Sequence, residues 1–170
     1  AIESLLFCYK YFIIFINNLY MAEKRYFQGR FRPKFPEKYK GDPTKIYWRS
    51  SWELQVMKWL DGHSAVVQWS SEETIIPYKS PIDRKFHRYF PDFQVVIARN
   101  GIHEQYIVEV KPKAQTKPPK MKHTGRPSKA YVKQVETYLI NSAKFEAAKE
   151  YCDKKGYKFM ILTEDNLKKI

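Results

Sequence analysis

The chain has 170 residues, 44% hydrophobic and 16% aromatic, a composition typical of one folded domain rather than a disordered chain. Its formal net charge of +13 exceeds what solubility requires, and it favours a phosphate-bearing partner over a merely basic soluble protein. Cys8 and Cys152 lie far apart without histidines at zinc spacing, which argues against a disulfide framework or a structural zinc site and fits a reducing compartment.

Residues 1–20 form an apolar run that Lys10 interrupts. The run is too short to span a bilayer and lacks a small-residue cleavage site, so neither a transmembrane helix nor a signal peptide is predicted. Met21 and the basic stretch after it resemble a natural start. We therefore expect residues 1–20 to be a non-native or upstream extension, such as translated AT-rich sequence, and we expect no membrane partner.

Residues 21–48 are rich in lysine, arginine, proline and aromatic residues without a clear period, which predicts an extended basic arm or an irregular lead-in that makes surface contacts. The rest of the chain, residues 49–170, is expected to form a single domain.

That domain opens with a predicted helix that Ser50 caps and that ends before Gly62. Glu53 lies three residues after Ser50, which is the spacing of a capping box. In that motif its carboxylate would accept a hydrogen bond from the Ser50 backbone N–H at the start of the helix. Glu53 also lies at the margin of the apolar stripe, at the boundary between helix and sheet, where an acid can reach a metal. Both interpretations stay open. Short strands are predicted at residues 65–69 and 74–78, followed by a turn at residues 80–83.

Asn100-Gly101 predicts a tight hairpin, because a type I′ turn needs positive φ at both central residues. If these two residues form the loop, Arg99 faces Ile102 and Asp92 falls opposite Glu109. The two carboxylates then share one face of the sheet.

Period-two alternation assigns the apolar residues of this hairpin to one side. Asp92, Gln94, Gln105, Glu109 and Lys111 point to the other. Facing carboxylates repel each other unless a cation lies between them, and hard oxygen ligands suit Mg²⁺ or Mn²⁺. The alternative is an ordinary hairpin whose polar face is solvated.

Residues 111–133 are a lysine- and proline-rich connection, which we expect to be mobile without a partner and to contain a basic loop at residues 112–128. Ser128 is predicted to cap a helix that runs to about residue 155, with a break near Asn141-Ser142, and Gly156 closes it. A last strand follows. Gln134 and Tyr138 are helical neighbours, which on their own indicate only a polar residue beside a core tyrosine.

Taken in order, Pro91-Asp92, then Glu109-Val110-Lys111, resemble the PD-(D/E)XK signature. Glu53 on the preceding helix and Gln134-x-x-x-Tyr138 on the following one resemble its accessory motifs. The resemblance implies an α/β fold, a restriction-endonuclease-like αβββαβ core whose mixed sheet is flanked by helices. More narrowly, the stretches RSSWELQVMKWLD, IIPYKSPIDRKFHRYFPDF and YIVEVKPKAQTKPP are similar to the head-completion nuclease family of T-even-type phages, and these resemble the N-terminal domain of TnsA-type transposase endonucleases.

This resemblance implies a Mg²⁺- or Mn²⁺-dependent DNA endonuclease that acts when packaging ends. Its catalytic residues would be Glu53, Asp92, Glu109, Lys111 and Gln134, and its metal ligands Glu53, Asp92, Glu109 and the Val110 carbonyl. The basic connection would contact DNA through Lys113, Lys117, Lys120, Lys122, Arg126 and Lys129, unless it is only a solvated linker. Expected partners are DNA and the portal, neck or other head proteins, and the expected location is the host cytoplasm during assembly or the virion head or neck.

Two other functions stay open. A structural head or neck protein would hold the DNA end without cutting it, but such a protein should have lost some of the four site residues Glu53, Asp92, Glu109 and Lys111, and none is lost. A TnsA-like transposition or repair endonuclease would require a dedicated partner or a sequence preference.

Overall fold

The computed structural model describes residues 28–120 and 126–167, so the expectation for residues 1–20 lies outside it. In chain order the elements are β1 (Gly29–Phe31), β2 (Ile46–Trp48), α1 (Ser51–Gly62), β3 (Val66–Ser71), β4 (Ile76–Lys79), β5 (Phe86–Tyr89), β6 (Phe93–Arg99), β7 (Ile102–Val110), α2 (Lys129–Lys155), β8 (Lys158–Leu162) and α3 (Glu164–Leu167). Short 3-10 helices occur at Pro36–Lys38 and Lys113–Gln115.

A four-stranded sheet in the order β3-β6-β7-β8 forms the centre of the molecule. β3, β6 and β7 are antiparallel neighbours, whereas β8 runs parallel to β7. A parallel pair needs a long crossover, and α2 supplies it. The α/β class and the mixed sheet with flanking helices are therefore confirmed.

The β6–β7 hairpin has the predicted register. Asn100 and Gly101 both have positive φ, 47° and 77°, as a type I′ turn requires. Arg99 pairs with Ile102, and the register continues without a shift to Phe93 opposite Val108. A local turn signal therefore fixed the pairing over the full length of β6.

Protein covers both faces of the central sheet at Ile107 and Glu109, which argues against the alternative of an ordinary hairpin with a solvated polar face. One face, with Phe93, Val95 and Val108, packs on α1. The other face carries Ile107, which is fully buried in a second cluster formed with α2 and the β4–β5 hairpin. Of the polar residues on this face, Glu109 is buried, whereas Asp92, Gln94, Gln105 and Lys111 are half-buried. Burial strengthens the electrostatic interactions of Glu109 with its neighbours.

The segment before α1 is part of the core, so the expectation of an extended arm is wrong for residues 28–48. Phe31, Tyr39 and Ile46 are all buried in the cluster beside α1. The buried carboxylate of Asp61 accepts hydrogen bonds from the backbone N–H groups of Lys34 and Phe35, at 2.7 and 3.2 Å, and so ties the segment to the end of α1. Aromatic and apolar residues spaced without a period gave no sequence signal of this packing.

The helix boundaries follow local chemistry. Ser50 caps α1 and Ser128 caps α2, each accepting a hydrogen bond from a backbone N–H in the first turn. Gly62 is the last residue of α1 rather than the residue beyond it, and α2 continues through Asn141 without the predicted break. Gly156 ends α2 in the left-handed conformation, as predicted. No helix within the described ranges is long and apolar enough to cross a membrane.

Candidate active site

The predicted carboxylates lie at the same end of the central hairpin. Asp92 directly precedes β6 and Glu109 is the penultimate residue of β7, so the turn at Asn100 is at the opposite end. Glu109 is almost fully buried, with 2% of its surface exposed. Its Oε1 pairs with Lys111 Nζ at 2.9 Å, and its Oε2 accepts a hydrogen bond from the Tyr89 hydroxyl at 2.7 Å. Asp92 Oδ2 accepts the Val110 backbone N–H at 2.6 Å.

Burial and mutual repulsion set the charges of this cluster. The pKa of Asp92 is raised well above its ordinary value of 3.8, first by desolvation and then by the charge of Glu109. For Lys111, burial opposes the charged form, but the carboxylates of Glu109 and Asp92 outweigh it, and the pKa of Lys111 is raised. Lys111 therefore faces two carboxylates, and burial and repulsion shift Asp92 toward its protonated form relative to an ordinary aspartate.

Glu53 both caps α1 and contributes charge at the site. Its two carboxylate oxygens accept hydrogen bonds from the Arg49 backbone N–H and the Ser50 hydroxyl, each at 2.8 Å. The capping contact therefore exists, although through the N–H of Arg49 rather than that of Ser50. The charge of Glu53 also raises the pKa values of Asp92 and Lys111, which places it near both. The two interpretations of Glu53 are compatible.

Two further residues, which the sequence did not predict, reach this cluster. Tyr89, on β5, is buried and donates to Glu109. Lys144, on α2, places its Nζ 5.6 Å from the ring centroid of Tyr78 and 5.5 Å from that of Tyr89. Burial lowers the pKa of Lys144, and the charges of Glu109, Asp92 and Lys111 all act on it. No sequence motif marks either residue, because both reach the site only through the packing of other elements onto the sheet.

Gln134 is exposed on the first turns of α2 and, among the described residues, makes no hydrogen bond with the carboxylates. It precedes Lys144 by ten residues, which corresponds to about 15 Å along the helix axis. Tyr138 is half-buried one turn after Gln134. The catalytic assignment of Gln134 stays a prediction.

The predicted DNA contacts divide into three groups. Lys113 forms an ion pair with Asp165, its backbone N–H donates to Glu164 at 2.7 Å, and it begins a short 3-10 helix, so the connection is ordered where it leaves the site. Lys122 lies outside the described residues. The remaining four are exposed: Lys117, Lys120, Arg126 and Lys129.

The donor set fits a hard divalent cation. Across residues 28–120 and 126–167, no three His, Cys, Asp or Glu side chains form a ready-made metal cluster. Mg²⁺, however, keeps several waters and takes one or two carboxylates from a protein. Asp92 and Glu109 supply that number, and a bound cation would favour the ionised form of Asp92, whose pKa is raised by burial and by the charge of Glu109.

Comparison with known proteins places the chain in a family. Residues 63–164 match the family described as TnsA-like endonuclease N terminal. The chain is 38% identical over 144 residues to a head completion nuclease of Enterobacteria phage T4, an alignment that covers 84% of this chain and 94% of the relative. No solved structure matched. The matched family region contains Asp92, Glu109, Lys111 and Lys144 but begins after Glu53.

Proposed function

The chain belongs to the TnsA-like endonuclease N-terminal family, and on that basis we propose that it is a divalent-metal-dependent DNA endonuclease acting in phage head completion after DNA packaging. The observation that carries the proposal is the convergence of Asp92, Glu109 and Lys111 at one end of the central hairpin, where Lys111 pairs with Glu109 and Asp92 accepts the Val110 backbone N–H. The similarity to the phage T4 head completion nuclease supports the setting.

In this proposal Asp92, Glu109 and the Val110 carbonyl hold Mg²⁺ or Mn²⁺, with Glu53 reaching it directly or through water. The bound ion would polarise a phosphodiester and lower the pKa of a water molecule. Asp92 must be ionised to bind the ion, so the raised pKa makes metal binding weaken as the pH falls. Tyr89 holds one oxygen of Glu109 and thereby fixes the orientation of that carboxylate.

Lys111 has a second role in the proposal. Its raised pKa keeps the ammonium charged at neutral pH, so it offsets negative charge that grows on the phosphate during cleavage. The ion pair with Glu109 supports this role, because it holds the Lys111 ammonium beside a proposed metal ligand. No residue of the chain needs to act as a covalent nucleophile.

The decisive experiment is incubation of the purified protein with linear and with branched DNA, in Mg²⁺ and in EDTA. We expect the wild type to cleave DNA in Mg²⁺ but not in EDTA. We expect Asp92→Ala and Lys111→Ala each to abolish this cleavage while circular dichroism shows that the variants are folded. DNA binding without cleavage in any divalent metal would instead identify a structural head or neck protein. Cleavage at the wild-type rate by either variant would overturn the assigned site.

A further inference from the structure

The two-stranded sheet of β4 and β5 has one buried face and one exposed face. Ile76 pairs with Tyr89, and both are buried against α2. Lys79 pairs with Phe86 and Pro77 with Arg88, and all four of these residues are exposed. Since paired residues share a face, Lys79, Phe86 and Arg88 stand together on the outer side.

This outer face combines aromatic and cationic side chains. Phe86 is 76% exposed, and Phe90, two residues beyond Arg88 on the same side, is 39% exposed. The guanidinium of Arg88 lies 5.8 Å from the Phe90 ring centroid. Arg84 and Lys85 add positive charge at the turn, whereas the nearby carboxylate of Asp83 is engaged by His87 at 2.7 Å. We call Lys79, Phe86, Arg88 and Phe90 the hairpin platform.

The hairpin platform leads directly into the candidate active site. Phe90 is followed by Pro91 and Asp92, so the last aromatic ring is two residues from a carboxylate of the site. On the inner side, Tyr89 bonds to Glu109 at 2.7 Å and anchors β5 to the same site. Chain connectivity therefore places the Phe90 end of the hairpin platform beside the candidate site.

We propose that the hairpin platform binds unpaired nucleotides of DNA, with bases stacked on Phe86 and Phe90 and phosphates held by Lys79 and Arg88. This rests on the proposed nuclease function and names its substrate class as DNA with a single-stranded segment beside the cleaved bond. Exposed aromatic rings beside cations are how proteins hold single strands, because every base has a face that can stack. Phenylalanine and arginine are also enriched at protein interfaces, so contact between copies of the chain is the alternative occupant. Lys79 opposite Phe86 favours DNA, because lysine is depleted at the centre of protein interfaces.

The test measures binding in EDTA, so that cleavage plays no part. Fluorescence anisotropy would compare an oligothymidylate of about 16 nucleotides with a blunt duplex of about the same length. We expect Phe86→Ala to weaken oligothymidylate binding roughly tenfold, the loss typical of one stacked base, and to leave duplex binding nearly unchanged. Ile102→Ala is the matched control, because Ile102 is 66% exposed but lies at the turn of the β6–β7 hairpin, far from the site.

If Phe86→Ala loses affinity equally for both DNAs, or loses none for oligothymidylate, the hairpin platform is not a single-strand site. A change in sedimentation of the free protein on Phe86→Ala, without a change in DNA affinity, would overturn it in favour of contact between copies. The binding test and the cleavage test can fail independently of each other. If the protein cleaves DNA in Mg²⁺ but Phe86→Ala binds oligothymidylate normally, only the hairpin platform is overturned. If Phe86→Ala selectively loses oligothymidylate binding but the wild type never cleaves DNA, the hairpin platform stands as a single-strand site and the nuclease function, with its substrate class, is overturned.

Discussion

The ionised form of Asp92 lowers the free energy of unfolding, because burial and the charge of Glu109 oppose it. Its pKa is raised above 3.8 by burial and by Glu109, so the folded state retains a proton that the unfolded chain has already released. The unfolded state binds fewer protons over this interval, and the stability of the fold therefore falls as the pH rises. The loss begins near pH 4 and is complete once the pH exceeds the raised pKa of the folded state.

Asp92→Asn should remove this cost while keeping an oxygen that accepts the Val110 N–H. In EDTA we expect the variant to be more stable than the wild type at about pH 7 and equal to it near pH 4, as measured by urea unfolding. Mg²⁺ should reverse the order at neutral pH, since only the wild type gains stability by binding it. The same dependence of stability on pH in both proteins would contradict the raised pKa.

Lys144 is the second cation of the site, held over the rings of Tyr78 and Tyr89 and close enough to Glu109 for their charges to interact. We expect Lys144→Met to lower the cleavage rate by about a hundredfold, because a preorganised positive group near the phosphate is removed. The melting temperature should change little, since methionine keeps most of the side-chain volume. Lys154→Met, at the exposed far end of α2, is the control, and equal rates in the two variants would exclude Lys144 from the reaction.

Among the elements, the predictable ones are those that short-range rules determine. Asn100-Gly101 fixed the register of β6 and β7, and this register in turn brought Asp92 and Glu109 together. Ser50, Ser128 and Gly156 marked helix ends through single hydrogen bonds or backbone angles.

The elements that the sequence did not predict depend on tertiary packing. β5 carries only one buried residue, Tyr89, among exposed and basic neighbours, so its pattern does not indicate a strand. Its pairing with β4 and the docking of both on α2 create the contact between Tyr89 and Glu109. Lys144 likewise joins the site only because α2 crosses that face. Both residues therefore had to be found from the structure.

At the start of α1, Glu53 both caps the helix and places negative charge near Asp92. Two substitutions can separate these roles. Glu53→Gln retains an oxygen for the Arg49 N–H but removes the charge, so we expect cleavage to fall steeply with stability nearly unchanged. Ser50→Ala removes the cap and keeps the charge, so it should cost about 1 kcal/mol in urea unfolding and leave cleavage intact. Wild-type cleavage by Glu53→Gln would restrict Glu53 to the cap.

For the molecule as a whole, the net charge of +13 predicts strong, salt-sensitive DNA binding but does not locate the contact surface. Within the part of the chain that the structure describes, exposed basic side chains adjoin the site on the hairpin platform and on the connection that follows Lys111. Within the connection, Lys113 is already paired with Asp165, whereas Lys117, Lys120 and Arg126 are exposed. The latter three are therefore the residues on which to test whether the connection contacts DNA.

Replacing Lys117, Lys120 and Arg126 together with glutamine should weaken binding to all duplex sequences alike, because phosphate contacts carry no sequence information. The slope of log affinity against log salt should fall by about 0.9 for each phosphate that the variant no longer neutralises. The control replaces Lys58, Lys149 and Lys154, which are also exposed, and removes the same net charge elsewhere. A local contact lowers the slope only in the first variant, whereas a general effect of net charge weakens both equally. An unchanged slope in the first variant would show that the connection is only a linker, and the duplex surface would then have to be sought among the basic residues that precede α1.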